Sequence, residues 1–334
     1  MPNSDEPSKY LNSPSGKNPK KSALGLDEML PFAPNEDGKN RRYAVLEMSW
    51  SEWFLWMEAL GPVLSWSTNG WGMHSREEVF SGWSRVPGGD VWVNTSDGSE
   101  LNTAMMETIL AVEEISDQGF CLSCQVLHQN GHGHLKIVLS HESDLDVFYT
   151  MVAANAVETP APQGIDFTPP DPVAMPPVKD LRAQWFSAAR LMPTETFGGW
   201  APLARLAVLN HIGEDYAKIL PTSLFALFLK QLTKYHCPIN LSLHHPDHTL
   251  SKRLVGAKLK ECGCFWHLLT KENHSHFPKS KDLEIWMVRN DPTRPECADI
   301  EIYHRPSRRL LAWIHSDANP LHAMHWRKAL QELN

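Results

Sequence analysis

Apolar residues recur along this chain in two rhythms. Between Tyr43 and Leu60, the positions Trp53, Phe54, Trp56, Met57 and Leu60 make one wide apolar face, and Gly61-Pro62 ends the pattern. Such spacing predicts a helix with a glycine stop. The arrangement returns over Thr222 to His236, with Leu224, Phe225, Leu227, Phe228 and Leu232 on the face and Cys237-Pro238 as the stop. Short apolar runs bounded by turn residues follow each helix and predict strands: Val63 to Trp66, Val91 to Asn94, Ile239 to Leu243 and Phe265 to Leu269. Glu107 to Glu113 and Leu283 to Arg289 are further strands. In the latter, Ile285, Met287 and Arg289 alternate with Trp286 and Val288. Strands in runs, each closed by a helix, read as an α+β fold with antiparallel sheets.

The pattern occurs twice because the chain does. Shifted by 176 residues, Cys121–Ala156 meets Cys297–Glu332 without a gap and with six identities in 36 positions: Cys121/Cys297, His128/His304, Leu135/Leu311, Ser140/Ser316, Leu145/Leu321 and Ala153/Ala329. Ordinary composition gives roughly two. The same offset pairs Pro62 with Pro238, Ser75 with Ser251 and Val112 with Val288. The period is too long for a solenoid, and two domain-sized copies are expected. The fold class is thus α+β with an internal duplication, each half a large antiparallel β-sheet packed against helices. The expected boundaries are a disordered N-terminal tail over 1–42, with one docking turn near Leu24 to Phe32, a first half over 43–157, a Pro-rich linker over 158–177 and a second half over 178–334. Val178 to Leu220 adds helical material without a counterpart in the first half. Leu181, Trp185 and Ala188 sit at helical spacing, Pro193 breaks the helix, and Leu203 to Leu209 begins another.

Composition narrows the function. With 334 residues and 42% hydrophobic positions, two ordinary cores are affordable, and a net charge of −8 argues against nucleic acid as a partner. No apolar run reaches membrane-spanning length, and the first residues carry no secretory h-region. The six cysteines form no disulfide framework, so a reducing cytoplasm is expected. Cys121-Leu122-Ser123-Cys124 spells CxxC, but in a strand residues three apart face opposite ways, so it is not read as a redox pair. The 17 histidines include His244, His245 and His248, His274 and His276, and His132 and His134. Imidazoles at such spacings can hold zinc or a related ion, although no carboxylate or thiolate obviously completes a set.

Several segments together resemble the haemin-utilisation proteins of the HemS/ChuX type in their long, duplicated form. They are Leu60-Gly61-Pro62-Val63-Leu64 with Met73-His74-Ser75-Arg76, Leu181-Arg182-Ala183-Gln184-Trp185, and Arg205-Leu206-Ala207-Val208-Leu209 with Gly213-Glu214. Ile285-Trp286-Met287-Val288-Arg289 with Pro292-Thr293, then Ile300-Glu301-Ile302-Tyr303 and Trp326-Arg327, complete the set. The resemblance spans about residues 44 to 334.

It implies a cytoplasmic protein of haem uptake, with haem or the haem-uptake machinery as partner. Such proteins carry haem or open its ring in an oxygen- and reductant-dependent reaction. The expected place is a cleft between the helices of 178–220 and a sheet. Haem needs an axial ligand, cationic partners for its propionates and an apolar slot. His74, Lys136, His276, Arg289 and Tyr303 stand at matching positions. The family's axial histidine is absent from Leu191 to Phe197, which leaves Met192 and His211 as substitute iron ligands. Arginine is also missing from Glu100-Leu101-Asn102 and from Ile314 to Asp317, and Asn290 replaces lysine. Two other readings follow: a non-enzymatic relative that binds another ligand or partner, and a metal-binding protein using the histidine clusters.

Overall fold

The computed structural model describes residues 33–34, 41–69, 72–116, 119–128, 133–157, 182–183, 185, 202–245, 248–289, 291, 293, 298–306, 308–316 and 320–333. The docking turn, the linker and Met192 lie outside these.

The first half runs β1 (Ala33–Pro34), β2 (Arg41–Leu46), α1 (Trp50–Ala59), β3 (Pro62–Thr68), β4 (Met73–Val79), β5 (Trp83–Arg85), β6 (Val91–Asn94), β7 (Glu100–Asn102), β8 (Met106–Ser116), β9 (Gly119–His128), β10 (Gly133–Leu139), α2 (Leu145–Asn155) and β11 (Ala156–Val157). The second runs α3 (Pro202–Ile212), β12 (Ala217–Leu220), α4 (Thr222–Lys234), β13 (Ile239–His245), β14 (His248–Leu254), β15 (Lys258–Cys262), β16 (Phe265–Leu269), β17 (Asn273–Pro278), β18 (Leu283–Arg289), β19 (Ala298–His304), β20 (Arg309–Ser316) and α5 (Pro320–Gln331). The α+β class and the antiparallel sheets are as expected.

Three details differ from the sequence reading. Tyr43–Leu46 is strand, and the helix starts only at Trp50, where Ser49 and Glu52 form a capping box. Ala33–Pro34 and Arg41–Arg42, expected in the tail, are also strand, with Ala33 opposite Tyr43 and Pro34 opposite Arg42. Ala217–Leu220, expected as helix, pairs with β18.

Two sheets organise the molecule. Sheet A has the order β1-β2-β8-β9-β10-β3-β4-β17-β16-β15, with β11 on β2, and sheet B has the order β12-β18-β19-β20-β13-β14-β7-β6-β5. At the 176-residue offset β2, β8, β9, β10, β3 and β4 correspond to β12, β18, β19, β20, β13 and β14, and β7-β6-β5 correspond to β17-β16-β15. Both sheets therefore repeat one strand order, and each ends in a three-stranded ribbon taken from the other half.

The cores follow the halves, not the sheets. Trp53, Phe54, Met57, Phe148, Met151 and the ribbon residues Trp92 and Leu101 bury one cluster, together with the single second-half residue Leu250. Phe225, Phe228, Trp326 and the ribbon residues Trp266, Leu268 and Phe277 bury the other. Each ribbon thus hydrogen-bonds to the foreign sheet while its apolar face stays on its own half.

Where the sheets meet, the interior turns polar. Lys252 Nζ lies 3.2 Å from Asp97 Oδ2 and 3.3 Å from Glu78 Oε1, and its side chain is 5% exposed. Arg76 adds longer contacts to the same carboxylates. Ser67 meets His248 Nε2 at 2.9 Å, and Ser99 donates to the Ser251 carbonyl. Removing one partner of a buried ion pair strands the other charge. Lys252→Ala should therefore cost about 3 kcal/mol in urea unfolding. Arg85→Ala, in an exposed pair with Asp90, should cost less than about 1 kcal/mol. Equal losses would show that the seam is not a closed polar interior.

Candidate functional site

Trp185 and α3 lie on the outer face of sheet B. Trp185, Leu206, Val208, Leu209 and Ile212 pack there against Trp286, Val288, Tyr303 and Leu310. Arg205 enters this apolar layer from α3. Its Nε lies 2.9 Å from Glu301 Oε2 and 3.2 Å from Oε1, and the Tyr303 hydroxyl donates to Glu301 at 2.6 Å. The Trp185 ring covers the guanidinium at 5.2 Å. Burial works against the charge of Arg205, but the Glu301 carboxylate outweighs it and holds the group protonated. Burial, then Glu301, raises the Tyr303 hydroxyl well above its ordinary range. Such a cluster is neutral overall, with Arg205 and Tyr303 both hydrogen-bonded to Glu301.

Two histidines offer nitrogen to this region. His211, exposed in the last turn of α3, has Nδ1 2.7 Å from the Ala207 carbonyl. A ring nitrogen facing a carbonyl must carry the proton, which leaves the lone pair on Nε2, the tautomer a metal ligand needs. Beyond it, Arg182 Nε donates to the Ile212 carbonyl at 2.9 Å, and Arg289 Nη1 approaches the Glu214 and Asp215 carbonyls at 3.2 and 3.3 Å. Two guanidinium groups therefore grip the turn after His211. The second histidine is His244. Its Nδ1 contacts Thr249 Oγ1 at 2.9 Å, while its buried Nε2 has no hydrogen-bond partner. Burial, then His248 and Arg205, lowers its pKa to about 3, so the ring is neutral.

The residues singled out in the sequence are dispersed. His211, Arg289 and Tyr303 gather at sheet B, with Tyr303 committed to Glu301 and not facing a slot. His74, read as a haem ligand, is sealed between the sheets: Nδ1 is 2.6 Å from Ser275 Oγ and Nε2 3.2 Å from the Leu241 carbonyl. With both nitrogens engaged and 2% exposure, it cannot present a lone pair to iron. Lys136 lies on the outer face of sheet A, 3.5 Å from Glu114. His276 is on that sheet too, beside His274 and His267. The trio His244, His245 and His248 does not converge: His245 and His248 stack at 5.1 Å, while His248 and His244 turn to Ser67 and Thr249. His132 and the His134 side chain lie outside the described residues. Cys121 and Cys124 face opposite sides of β9. Cys124 is buried, accepts from Trp53 Nε1 at 3.3 Å, and is pushed to about 12 by burial.

Three residues escaped the sequence reading. Arg205 and Glu301 meet across 96 positions, which no local spacing reveals. His267 was legible: a two-residue turn over Lys271-Glu272 puts Leu269 opposite His274 and His267 opposite His276.

One further concavity, of about 230 Å³, opens beside α1, where Phe54, Phe80, Trp83 and Trp92 form its aromatic wall. It is smaller than usual for a ligand site.

No family model matches this sequence, and no curated protein matches it. Among solved structures the chain is similar to holo-PhuS, a heme-binding protein from Pseudomonas aeruginosa, with 18% identity, a TM-score of 0.73 and 87% of each chain covered. It is also similar to ChuS, an E. coli heme oxygenase, with 14% identity, a TM-score of 0.73, and 87% of this chain and 88% of that chain covered. Coordinates of the heme degrading enzyme ChuS from E. coli O157:H7 match with 14% identity and a TM-score of 0.72. The chain shares the fold of these proteins, as the resemblance implied. Among the described residues, no helix is long and apolar enough to cross a membrane.

Burial, then the charge of Lys252, lowers the His74 pKa to about 3, as burial does for His244. The unfolded rings titrate near 6.5. Below that pH the unfolded chain takes up protons that the folded chain refuses, so stability is complete above about 6.5 and is lost as pH falls toward about 3. Between pH 7.5 and 5 each of these histidines should cost roughly 2 kcal/mol. Urea midpoints across this range should fall less steeply in His74→Leu, which installs the residue found at the matching Leu250. An unchanged slope would mean that His74 titrates freely in the folded protein.

Proposed function

We propose that this chain is a cytoplasmic haem-utilisation protein, a carrier of haem or a contributor to its degradation, working with the haem-uptake machinery. The observation that carries this reading is the agreement of fold with holo-PhuS over 87% of both chains. The outer face of sheet B adds chemical support. His244 Nε2 is a buried imidazole nitrogen without a partner, and His211 stands at the rim in the ligating tautomer. Arg182 and Arg289, which hold the turn after His211, are the cations that would face propionates. These are the side chains that would hold haem, and the bound haem would supply the iron chemistry. His211 at the rim is the leading iron ligand and His244 the interior one.

One observation favours a second reading. The Arg205–Glu301–Tyr303 cluster fills the layer with groups that satisfy one another. A relative that has kept the fold and given up haem for another ligand or partner would be packed in this way.

A haemin titration of the purified, tag-free chain separates the two. The first reading expects saturation at one equivalent with a sharp, shifted Soret band, weakened by His211→Ala or His244→Ala. The band should be indifferent to His74→Leu, whose ring is sealed away. A broad band without saturation sinks the haem reading and leaves the fold as the whole of the likeness.

A further inference from the structure

His267, His274 and His276 form the one group of three potential ligands among the described residues whose ligand atoms all lie within 4.8 Å of one another. They sit on adjacent strands. His267 lies directly opposite His276, and His274 is two residues along on the same face. Ring centroids are separated by 5.3, 5.6 and 5.8 Å, and His267 Nδ1 is 3.0 Å from His274 Nε2. The rings are half-buried on the outer face of sheet A. The alternate residues Trp266, Leu268 and Phe277 point the other way, into the second-half core. Both strands are therefore anchored from behind, and the imidazoles are carried on rigid backbone rather than a loop. Phe265 packs against His276 at 5.1 Å, and Met73 lies opposite His276 in β4.

We propose that His267, His274 and His276 form a binding site for a divalent transition-metal ion of the zinc and copper class. Three imidazoles with no carboxylate suit such an ion and not magnesium or calcium. The fourth position is left for water or an added ligand, as in open zinc sites. The rings are neutral at physiological pH: burial lowers His274 and His276 to about 4, and lowers His267 as well. Ion binding requires the proton between His267 and His274 to move to the far nitrogen of its ring by exchange with solvent. Atoms and charge otherwise stay as they are. Lys260 and Lys279 act on His267 from nearby. Their charge opposes the cation and favours an anionic fourth ligand such as hydroxide. This site is on the other sheet from the proposed haem face and does not depend on haem binding.

The test uses the full, tag-free chain stripped of metal and dialysed separately against Zn²⁺ and Cu²⁺. One tightly held equivalent is expected, lost in His274→Ala and His276→Ala and retained in His141→Ala, whose ring is 82% exposed. Zn²⁺ should raise the Tm of the native chain and of His141→Ala but not of the triad variants. Their metal-free Tm reports whether they fold. A second measurement needs no variant: Zn²⁺ should shield the triad histidines, and not His141, from diethyl pyrocarbonate, read by peptide mass. No bound equivalent, triad variants that bind like the native chain, or modification unaffected by Zn²⁺ would each overturn the assignment.

Discussion

The structure depends on the two backbone ladders that join the halves. β4 pairs with β17, and β14 pairs with β7, so neither sheet can be completed from one half of the chain. An isolated half would keep its helices and most of its core. It would lose the partner for its last central strand and leave a ribbon with no sheet to join. Exposed ladder edges of that kind are costly and prone to mispairing. The polar pairs at the crossing, Lys252 with Asp97 and Glu78 and His74 with Ser275, are satisfied only when both halves are present. Hydrophobic burial divides the molecule in two, and hydrogen bonding makes it one.

The repeated strand order gives the two outer faces a common frame with different chemistry. At the 176-residue offset Leu110 corresponds to Trp286 and Gln125 to Glu301. On sheet A the neutral Gln125 bonds to its own neighbour Ser123. On sheet B the carboxylate of Glu301 needs a cation, and α3, which has no counterpart among the described residues of the first half, supplies Arg205. The extra helical segment and the charged residue beneath it thus belong together. The ribbons differ as well. His267, His274 and His276 correspond by offset to Val91, Gly98 and Glu100, so the triad exists once and its sheet position has no mirrored site.

What could be read from sequence was what local spacing determines. The apolar face of α4 and the alternation in β18 were both legible, and so was the repeat. Tyr43 to Leu46 was not, because both of its faces are apolar and packed, one fully and one partly buried. Ala44 and Leu46 enter the main core, while Tyr43 and Val45 pack on a small outer cluster with Leu110, Val112 and Leu127, which erases the polar half of the alternation. The capping pair Ser49 and Glu52 was the local mark of the true helix start. His74 was misjudged for a different reason. Its surroundings come from Leu241 and Ser275, 167 and 201 positions away. Whether a histidine is sealed or available depends on partners that spacing along the chain does not reveal.

The ribbon β15–β17 ties these threads together through the period of a strand. His274 and His276 project from one side of β17, and Ser275 between them projects from the other, onto His74 Nδ1. Whatever fixes the spacing of the two outward imidazoles therefore also fixes the inward serine. His74 accordingly has its role in the seam: its ring joins Ser275 of sheet A to the Leu241 carbonyl of sheet B, and its neutrality is what lets it stay there. Protonating His74 would add a positive charge near Lys252 in the seam, a change that weakens the crossing and the ribbon together. The outer triad and the inner histidine are chemically separate, one facing solvent and one facing protein. They nevertheless share a single strand register, and a one-residue slip would exchange their faces and abolish both.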